Sequence, residues 1–217
     1  MTRIDGPRRP PASGGRARQL VVLLHGYGAD GDDLFELSVP LSRAMPHAAF
    51  VAPHAPEPCR ASPMGRQWFD LTFRDPDEYV RGVAAAVPGL ARFLEAELAR
   101  HGLGPDALAL VGFSQGTMMA LGVGLAGGFA PGGIVGFSGL LALPADVRAE
   151  TVPAVPVFLV HGTADEVLPA GHTVAAAARL GSLGCLVEWH LVPGLGHGID
   201  PKGLSMAADY LAKLFRS

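Results

Sequence analysis

Apolar positions along this chain alternate between two kinds of pattern. Short apolar runs occupy 19–24, 48–52, 107–113, 133–137, 156–160 and 186–192. They predict strands, and the uncharged run at 107–113 predicts a strand covered on both faces. Between the runs lie stretches whose apolar residues recur every three or four positions, predicting helices over 34–45, 77–101, 115–126, 171–183 and 202–215. In the longest of these, Val80, Val83, Val87, Leu90, Phe93, Leu94 and Leu98 keep the spacing, and Gly102 is the expected C-cap. Pro40 should limit the helix over 34–45, and Pro88 should kink or restart the one over 77–101. Strands alternating with helices at this spacing make an α/β fold, a mostly parallel sheet with helices on both faces.

The organisation is that of one domain, 19–217, preceded by a Pro-, Gly- and Arg-rich lead-in at 1–18 that forms an edge strand at most. No internal repeat or low-complexity tract interrupts it. One connection is unusual. Residues 53–76 carry prolines at 53, 56, 58, 63 and 76, and a loop of that length in a compact domain usually has a function. Its apolar Met64, Trp68 and Phe69 argue for an ordered segment lying over the active site.

Composition narrows the function classes. A hydrophobic content of 49% with 17% charged residues fits a well-buried core. A net charge of −3 without a Lys/Arg stripe gives no electrostatic basis for binding nucleic acid. Residues 107–145 carry no charge, yet their many glycines, Pro131 and the polar Ser114, Gln115 and Thr117 fit strand–helix–strand rather than stable membrane insertion. The first residues lack an apolar secretion region, and Cys59 and Cys185 lack metal-like spacing. Both observations lead us to expect a cytoplasmic protein with free thiols.

The candidate chemistry starts at Gly112-Phe113-Ser114-Gln115-Gly116, a G-x-S-x-G match. With 29 glycines in the chain, the match alone is weak. Its context is stronger: an apolar strand, an abrupt turn and an apolar helix make a nucleophile elbow, with Ser114 proud of the sheet. The competing Gly136-Phe137-Ser138-Gly139 also follows a strand, but no glycine sits two residues after Ser138, and Pro144 soon follows. Ser138 therefore reads as a strand-end serine.

A serine hydroxyl needs a base, and the base needs an orienting group. Asp165 follows the strand at 156–160 and a Gly turn; Glu166 is its nearest competitor. His197 lies on the Gly-rich loop between the last strand and the last helix. His25, His47, His54, His101 and His161 all precede Asp165, while His172 opens a helix and His190 lies within a strand. The order Ser114, Asp165, His197 is that of α/β-hydrolases. Two N–H donors must then face the oxyanion formed in acyl transfer. The Gln115 amide, at the helix start, is one. Tyr27 in His25-Gly26-Tyr27-Gly28 is the other, because the flanking glycines let that backbone bend inward.

Five stretches resemble the phospholipase/carboxylesterase family, which includes bacterial carboxylesterases and acyl-protein thioesterases. They are Leu23 through Gly31, Gln67-Trp68-Phe69-Asp70, Gly-Phe-Ser-Gln-Gly, His161 through Asp165, and Gly194-Leu195-Gly196-His197-Gly198. The resemblance runs from about Gln19 to the C-terminus. It implies a lidless α/β-hydrolase with Ser114, Asp165 and His197 as catalytic triad and the amides of Tyr27 and Gln115 as oxyanion hole. It also implies an acyl pocket lined by Trp68 and Phe69, and assembly as a monomer or homodimer. The family usually has an apolar residue directly after the acid. This chain has Glu166 there, so Val167 is the apolar residue expected at the pocket.

The expected function is a serine hydrolase that cleaves small-molecule carboxylic esters of short-to-medium acyl length, with thioesters as a related class, through an acyl-enzyme. No metal or organic cofactor is expected. A dienelactone-hydrolase-like activity is the enzymatic alternative, although such enzymes use a cysteine nucleophile. A non-catalytic binding module is the other, and it calls for a broken triad.

Overall fold

The computed structural model describes residues 4–72, 74–75 and 77–215. The first three residues of the lead-in, the Pro76 end of the long segment and the last two residues of the domain lie outside them. A seven-stranded sheet forms the frame. Its strands are β1 (Arg8–Arg9), β2 (Gln19–Leu24), β3 (Ala48–Val51), β6 (Leu108–Phe113), β7 (Gly133–Phe137), β8 (Val157–Gly162) and β9 (Val187–Val192), in the order β1-β3-β2-β6-β7-β8-β9. Two short strands, β4 (Glu57–Pro58) and β5 (Arg66–Gln67), pair separately and antiparallel within the long segment. Every neighbour in the large sheet is parallel except β1, which runs antiparallel to β3 at the edge.

Alternate residues of each central strand enter opposite halves of the core. Leu20, Val22 and Leu24 face one half and Val21 and Leu23 the other; Leu108 and Leu110 oppose Ala109 and Val111 in the same way. Helices cover both faces, which is why these strands read as continuous apolar runs. On one face lie α3 (Glu78–His101), α4 (Gln115–Ala126) and α5 (Gly171–Ser182); on the other lie α1 (Gly31–Phe35), α2 (Ser38–Ala44) and α6 (Pro201–Leu214). Helix α4 is buried from Gln115 through Leu125, so its apolar residues surround it instead of forming a stripe.

One helix expectation needs correction and another is narrowed. The single helix predicted over 34–45 is two. Asp30 caps a short first helix by accepting the amides of Asp32 and Asp33, and the Asp33 carboxylate in turn accepts the Asp30 N–H. The chain then turns, and Pro40 falls in the first turn of α2, where a missing N–H costs nothing. Pro88, by contrast, does not restart α3, which runs unbroken for 24 residues. Pro88 and Ala84 are both exposed, so the carbonyl that loses its intrahelical donor can be hydrated.

Within the lead-in, Arg8 pairs in register with Val51, and its guanidinium holds the buried Glu97 of α3 through two hydrogen bonds of 2.9 and 2.8 Å. The N-terminal segment is thereby fastened both to the sheet edge and to a helix. Among the described residues, no helix is long and apolar enough to cross a membrane.

Candidate active site

The site is assembled at the carboxyl ends of the parallel strands, where open α/β sheets carry their ligands. β2 ends at Leu24 just before His25, β6 at Phe113 before Ser114, β8 at Gly162 before Asp165, and β9 at Val192 before His197. Registers Leu24↔Gly112, Phe113↔Phe137 and Gly162↔Val192 bring these ends level.

Ser114 sits between β6 and α4 with φ 54° and ψ −117°, a positive φ that a residue with a Cβ adopts only under constraint. Close packing supplies the constraint. A Cβ on Gly116 would stand 1.8 Å from the Leu24 carbonyl oxygen, and one on Gly112 would stand 2.4 Å from the Gly116 oxygen. Only glycine at both ends lets the helix start so close to the strands. The Ser114 N–H donates to Phe137 O at 2.9 Å, and the Thr117 hydroxyl lies 2.8 Å from Gly112 O and 2.9 Å from Phe137 O, tying the helix start to two strands. The Gln115 amide is at the first helical position, where N–H groups have no intrahelical acceptor.

Asp165 and His197 meet. The distance from His197 Nδ1 to Asp165 Oδ2 is 2.7 Å, and the Asp165 side chain is fully buried. A carboxylate accepts, so Nδ1 carries the proton and Nε2 keeps its lone pair, the form a general base needs. The other carboxylate oxygen accepts the N–H groups of Val167 and Leu168, each at 2.9 Å. Burial pushes the Asp165 carboxyl up, but the Leu168 amide, His197 and the Val167 amide together hold it below the ordinary carboxylate range. Glu166 is exposed on the same turn. The His197 ring also packs on Phe113, next to Ser114 in the chain, at 5.0 Å between centroids.

The loop carrying Tyr27 is fixed from beneath by His25, which is fully buried. The Ala55 N–H donates to its Nε2 at 3.0 Å, so the proton is on Nδ1, which donates to Gly26 O at 2.8 Å. Burial lowers this imidazole to a pKa of about 4, outweighing the Gly26 contact that favours the cation. His25 is a neutral strut. Further along, the Gly28 N–H donates to Arg66 O and the Arg66 N–H to Ala29 O, at 2.9 and 2.8 Å, joining this loop to the β4–β5 segment.

Trp68 and Phe69 are buried against the elbow. The Gln115 side chain accepts the Trp68 N–H at 2.9 Å and donates to Phe69 O at 2.8 Å, while the Trp68 indole donates to His25 O at 3.0 Å. Both aromatics also line a groove of about 940 Å³ along α3, shared with Ile4, Ala86 and Phe93; Ser114, Asp165 and His197 are not part of its lining. Met64 and Val167 stand 90% and 60% exposed. Asp30, Asp32 and His54 cluster together, but the Asp30 side chain and His54 Nδ1 accept amides of α1 and so serve its capping.

Several participants escaped the sequence reading. The side chains of Gln115 and His25 were not assigned as ties, and Ser138, also at positive φ, places its hydroxyl 3.4 Å from Gly198 O beside His197. His161 was set aside for its place in the chain order, yet its Nε2 lies 3.1 Å from Asp165 Oδ2. One signal could have flagged two of these: His-Gly closes an apolar strand both at His25-Gly26 and at His161-Gly162.

Comparison with known proteins gives a consistent result. A family model described as Phospholipase/Carboxylesterase matches residues 11–215. The esterase YpfH of Escherichia coli (strain K12) is 33% identical over 96% of this chain and 85% of its own. An acyl-protein thioesterase 1 of Gibberella zeae is 30% identical over 89% of each chain. Among solved structures, esterase PE8 superposes with a TM-score of 0.93 at 41% identity over 99% of this chain and 100% of its own. Arabidopsis thaliana SOBER1 gives 0.81 at 25% identity, over 92% of this chain and 100% of its own.

Proposed function

The chain belongs to the phospholipase/carboxylesterase family, and from that premise we propose how its residues hydrolyse a carboxylic ester. Ser114 Oγ attacks the acyl carbonyl carbon while His197 Nε2 takes its proton. Asp165 holds His197 in the tautomer with Nδ1 protonated. The amides of Tyr27 and Gln115 donate to the oxyanion, each such donor lowering the barrier by about 3–4 kcal/mol. Collapse breaks the bond to the leaving alcohol, which takes the proton from His197. Water then attacks the acyl-enzyme, gives its proton to His197, and releases the acid as Ser114 regains its hydrogen.

The observation that carries this reading is the conjunction at the strand ends. A strained Ser114 opens a buried helix, and a fully buried carboxylate 2.7 Å from a histidine lies at the ends of β8 and β9. The test is labelling by a fluorophosphonate followed by peptide mapping. A phosphonyl group on Ser114 is expected; a label on Ser138 alone would sink the assignment.

The substrate is a small-molecule ester of short-to-medium acyl length. Trp68 and Phe69, held by Gln115 and bordering the α3 groove, form the apolar wall, while exposed Met64 and Val167 belong to an outer rim. Each CH₂ buried against such a wall adds about 0.8 kcal/mol to binding. A rate series on esters of increasing chain length, below and above the micellar concentration, tests both parts. A rise in kcat/KM with length and no jump at micelle formation is expected; a jump would mean a lid. The match to an acyl-protein thioesterase favours thioesters as a second substrate class, checked by comparing acyl-thiol and acyl-alcohol pairs of equal chain length. The two buried free thiols favour a cytoplasmic setting, with assembly as a monomer or homodimer.

A further inference from the structure

We propose that His161 is a positioning residue for Asp165, acting through Leu168, whose carbonyl accepts the His161 N–H and whose own amide holds the carboxylate. The inference rests on the triad reading above.

The ring of His161 is fully buried near the end of β8 and has three polar neighbours. Nδ1 lies 2.7 Å from the Thr173 hydroxyl, and Nε2 lies 2.8 Å from Leu168 O and 3.1 Å from Asp165 Oδ2. The Leu168 carbonyl can only accept, so the ring proton is on Nε2, and Nδ1 takes the hydroxyl hydrogen of Thr173. The tautomer is thus set from α5, by a side chain that is itself buried. The single Nε2–H goes to the Leu168 carbonyl, and Asp165 Oδ2 stands beside it, 3.1 Å from the same nitrogen.

That bond closes a circuit around the acid. Leu168 receives the His161 N–H on its carbonyl and donates its own N–H to Asp165 Oδ1 at 2.9 Å. Asp165 Oδ2 accepts the His197 N–H with the His161 ring close beside it, while Oδ1 has the amides of Val167 and Leu168. These three donors fix the carboxylate in rotation as well as in place, and the Leu168 donor is itself held by His161. Without His161, the Leu168 carbonyl loses its partner, and the turn that presents the Leu168 amide to Oδ1 loses an anchor. A buried carbonyl missing its donor turns or draws in water to recover one, and here it carries with it an amide that aims the carboxylate. His161 touches no group placed at the acyl substrate, so its loss should appear in turnover and not in substrate binding.

The test compares three substitutions, with turnover expressed per site after exhaustive fluorophosphonate labelling. His161→Leu keeps bulk and loses the donor; kcat should fall about 10- to 100-fold with KM within about twofold of wild type. His161→Gln returns an amide N–H near the position of Nε2 and should restore kcat to within about threefold of wild type. Thr173→Val removes the hydroxyl that sets the tautomer. It should lower kcat about 3- to 10-fold, with no further loss when combined with His161→Gln.

Wild-type turnover in His161→Leu, or a Gln variant no better than the Leu variant, would overturn the proposal. Should His161→Leu not fold, Thr173→Val decides: reduced kcat at unchanged KM supports the role, and wild-type kcat removes it. Asp165→Asn run in parallel separates the two levels of the argument. If Asp165→Asn keeps its turnover, the triad reading itself is wrong; if it is inactive while the His161 and Thr173 variants match wild type, only the present inference fails.

Discussion

Gln115 holds Trp68 in place across the elbow, accepting its backbone N–H at 2.9 Å while donating to the next carbonyl, that of Phe69, at 2.8 Å. One residue thus opens α4 with its own amide, proposed as an oxyanion donor, and uses its side chain to fasten Trp68 and Phe69, the proposed apolar wall. Gln115→Ala keeps the first function and loses the second, leaving two buried backbone groups without partners. Stability should fall by about 2–4 kcal/mol, and KM should rise more for long acyl esters than for acetyl. Thermal unfolding and a chain-length series measure both. An unchanged melting temperature would show that the strut is dispensable.

Ser114→Ala should abolish turnover, and adding His197→Ala should cost little more, because the members of a triad act as a unit worth about 10⁶-fold in kcat. Ser138→Ala, whose hydroxyl only reaches Gly198 O at 3.4 Å, should cost less than tenfold. Steady-state kinetics on one chromogenic ester suffices. The reverse ranking of the two serines would move the nucleophile.

Asp165 and Glu166 are adjacent but differently placed, the first fully buried against His197 and the second exposed. Asp165→Asn should therefore lower kcat by up to about 10⁴-fold with the fold intact, and Glu166→Gln by less than tenfold. Circular dichroism alongside kinetics distinguishes lost chemistry from lost structure. A larger loss from Glu166→Gln would shift the acid by one residue.

Arg8 ties the N-terminal segment to Glu97, whose carboxylate is almost fully buried. Removing the guanidinium leaves that charge with Arg100, 3.3 Å away, as a partial partner. Arg8→Ala should therefore destabilise by about 1–3 kcal/mol, less than the loss of a wholly buried pair, and Glu97→Leu in the same chain should recover part of it. Urea unfolding of the single and double variants gives the coupling. Strict additivity would show that the pair is not what holds the segment.

His25 makes the fold acid-sensitive in a defined window. Its pKa is lowered by burial from an ordinary value of 6.5 to about 4, so between those limits the unfolded chain binds a proton that the folded one does not. Stability should fall as pH drops from about 6.5 towards 4, by up to about 3 kcal/mol from this group. Asp165, held below the ordinary range, adds a further loss at lower pH, as its stabilisation disappears when the pH passes down through its folded value. The measurement is unfolding free energy against pH for wild type and His25→Gln. A variant slope as steep as wild type in that window would clear His25 of the effect.

The sequence by itself determined the frame and the order of the chemistry. Strands β2, β3, β6, β7 and β8 were legible because burial on both faces writes itself locally, as unbroken apolar runs. The elbow was legible because a positive φ at Ser114 and tight contact at Gly116 demand particular residue types at fixed offsets. Both signals lie within a few residues of one another. The break between α1 and α2 and the continuity of α3 past Pro88 were not legible, because what a proline costs depends on where in a helix it falls and on whether an orphaned carbonyl can reach water.

Only the tertiary structure decided which polar groups serve one another. The Gln115 side chain and the Trp68 amide are 47 positions apart, and Arg8 and Glu97 are 89 apart. These pairs exist because the strand order and the helices on each face bring distant segments together. His161 was dismissed on chain order alone, though folding places it 3.1 Å from Asp165 Oδ2, four positions away along the same turn. A hydrogen bond is directional and effective only over about 3 Å, so it depends on coordinates that composition and periodicity do not carry. The sequence could therefore name Ser114, Asp165 and His197 as candidates, while the shell that aims them became visible only in the fold.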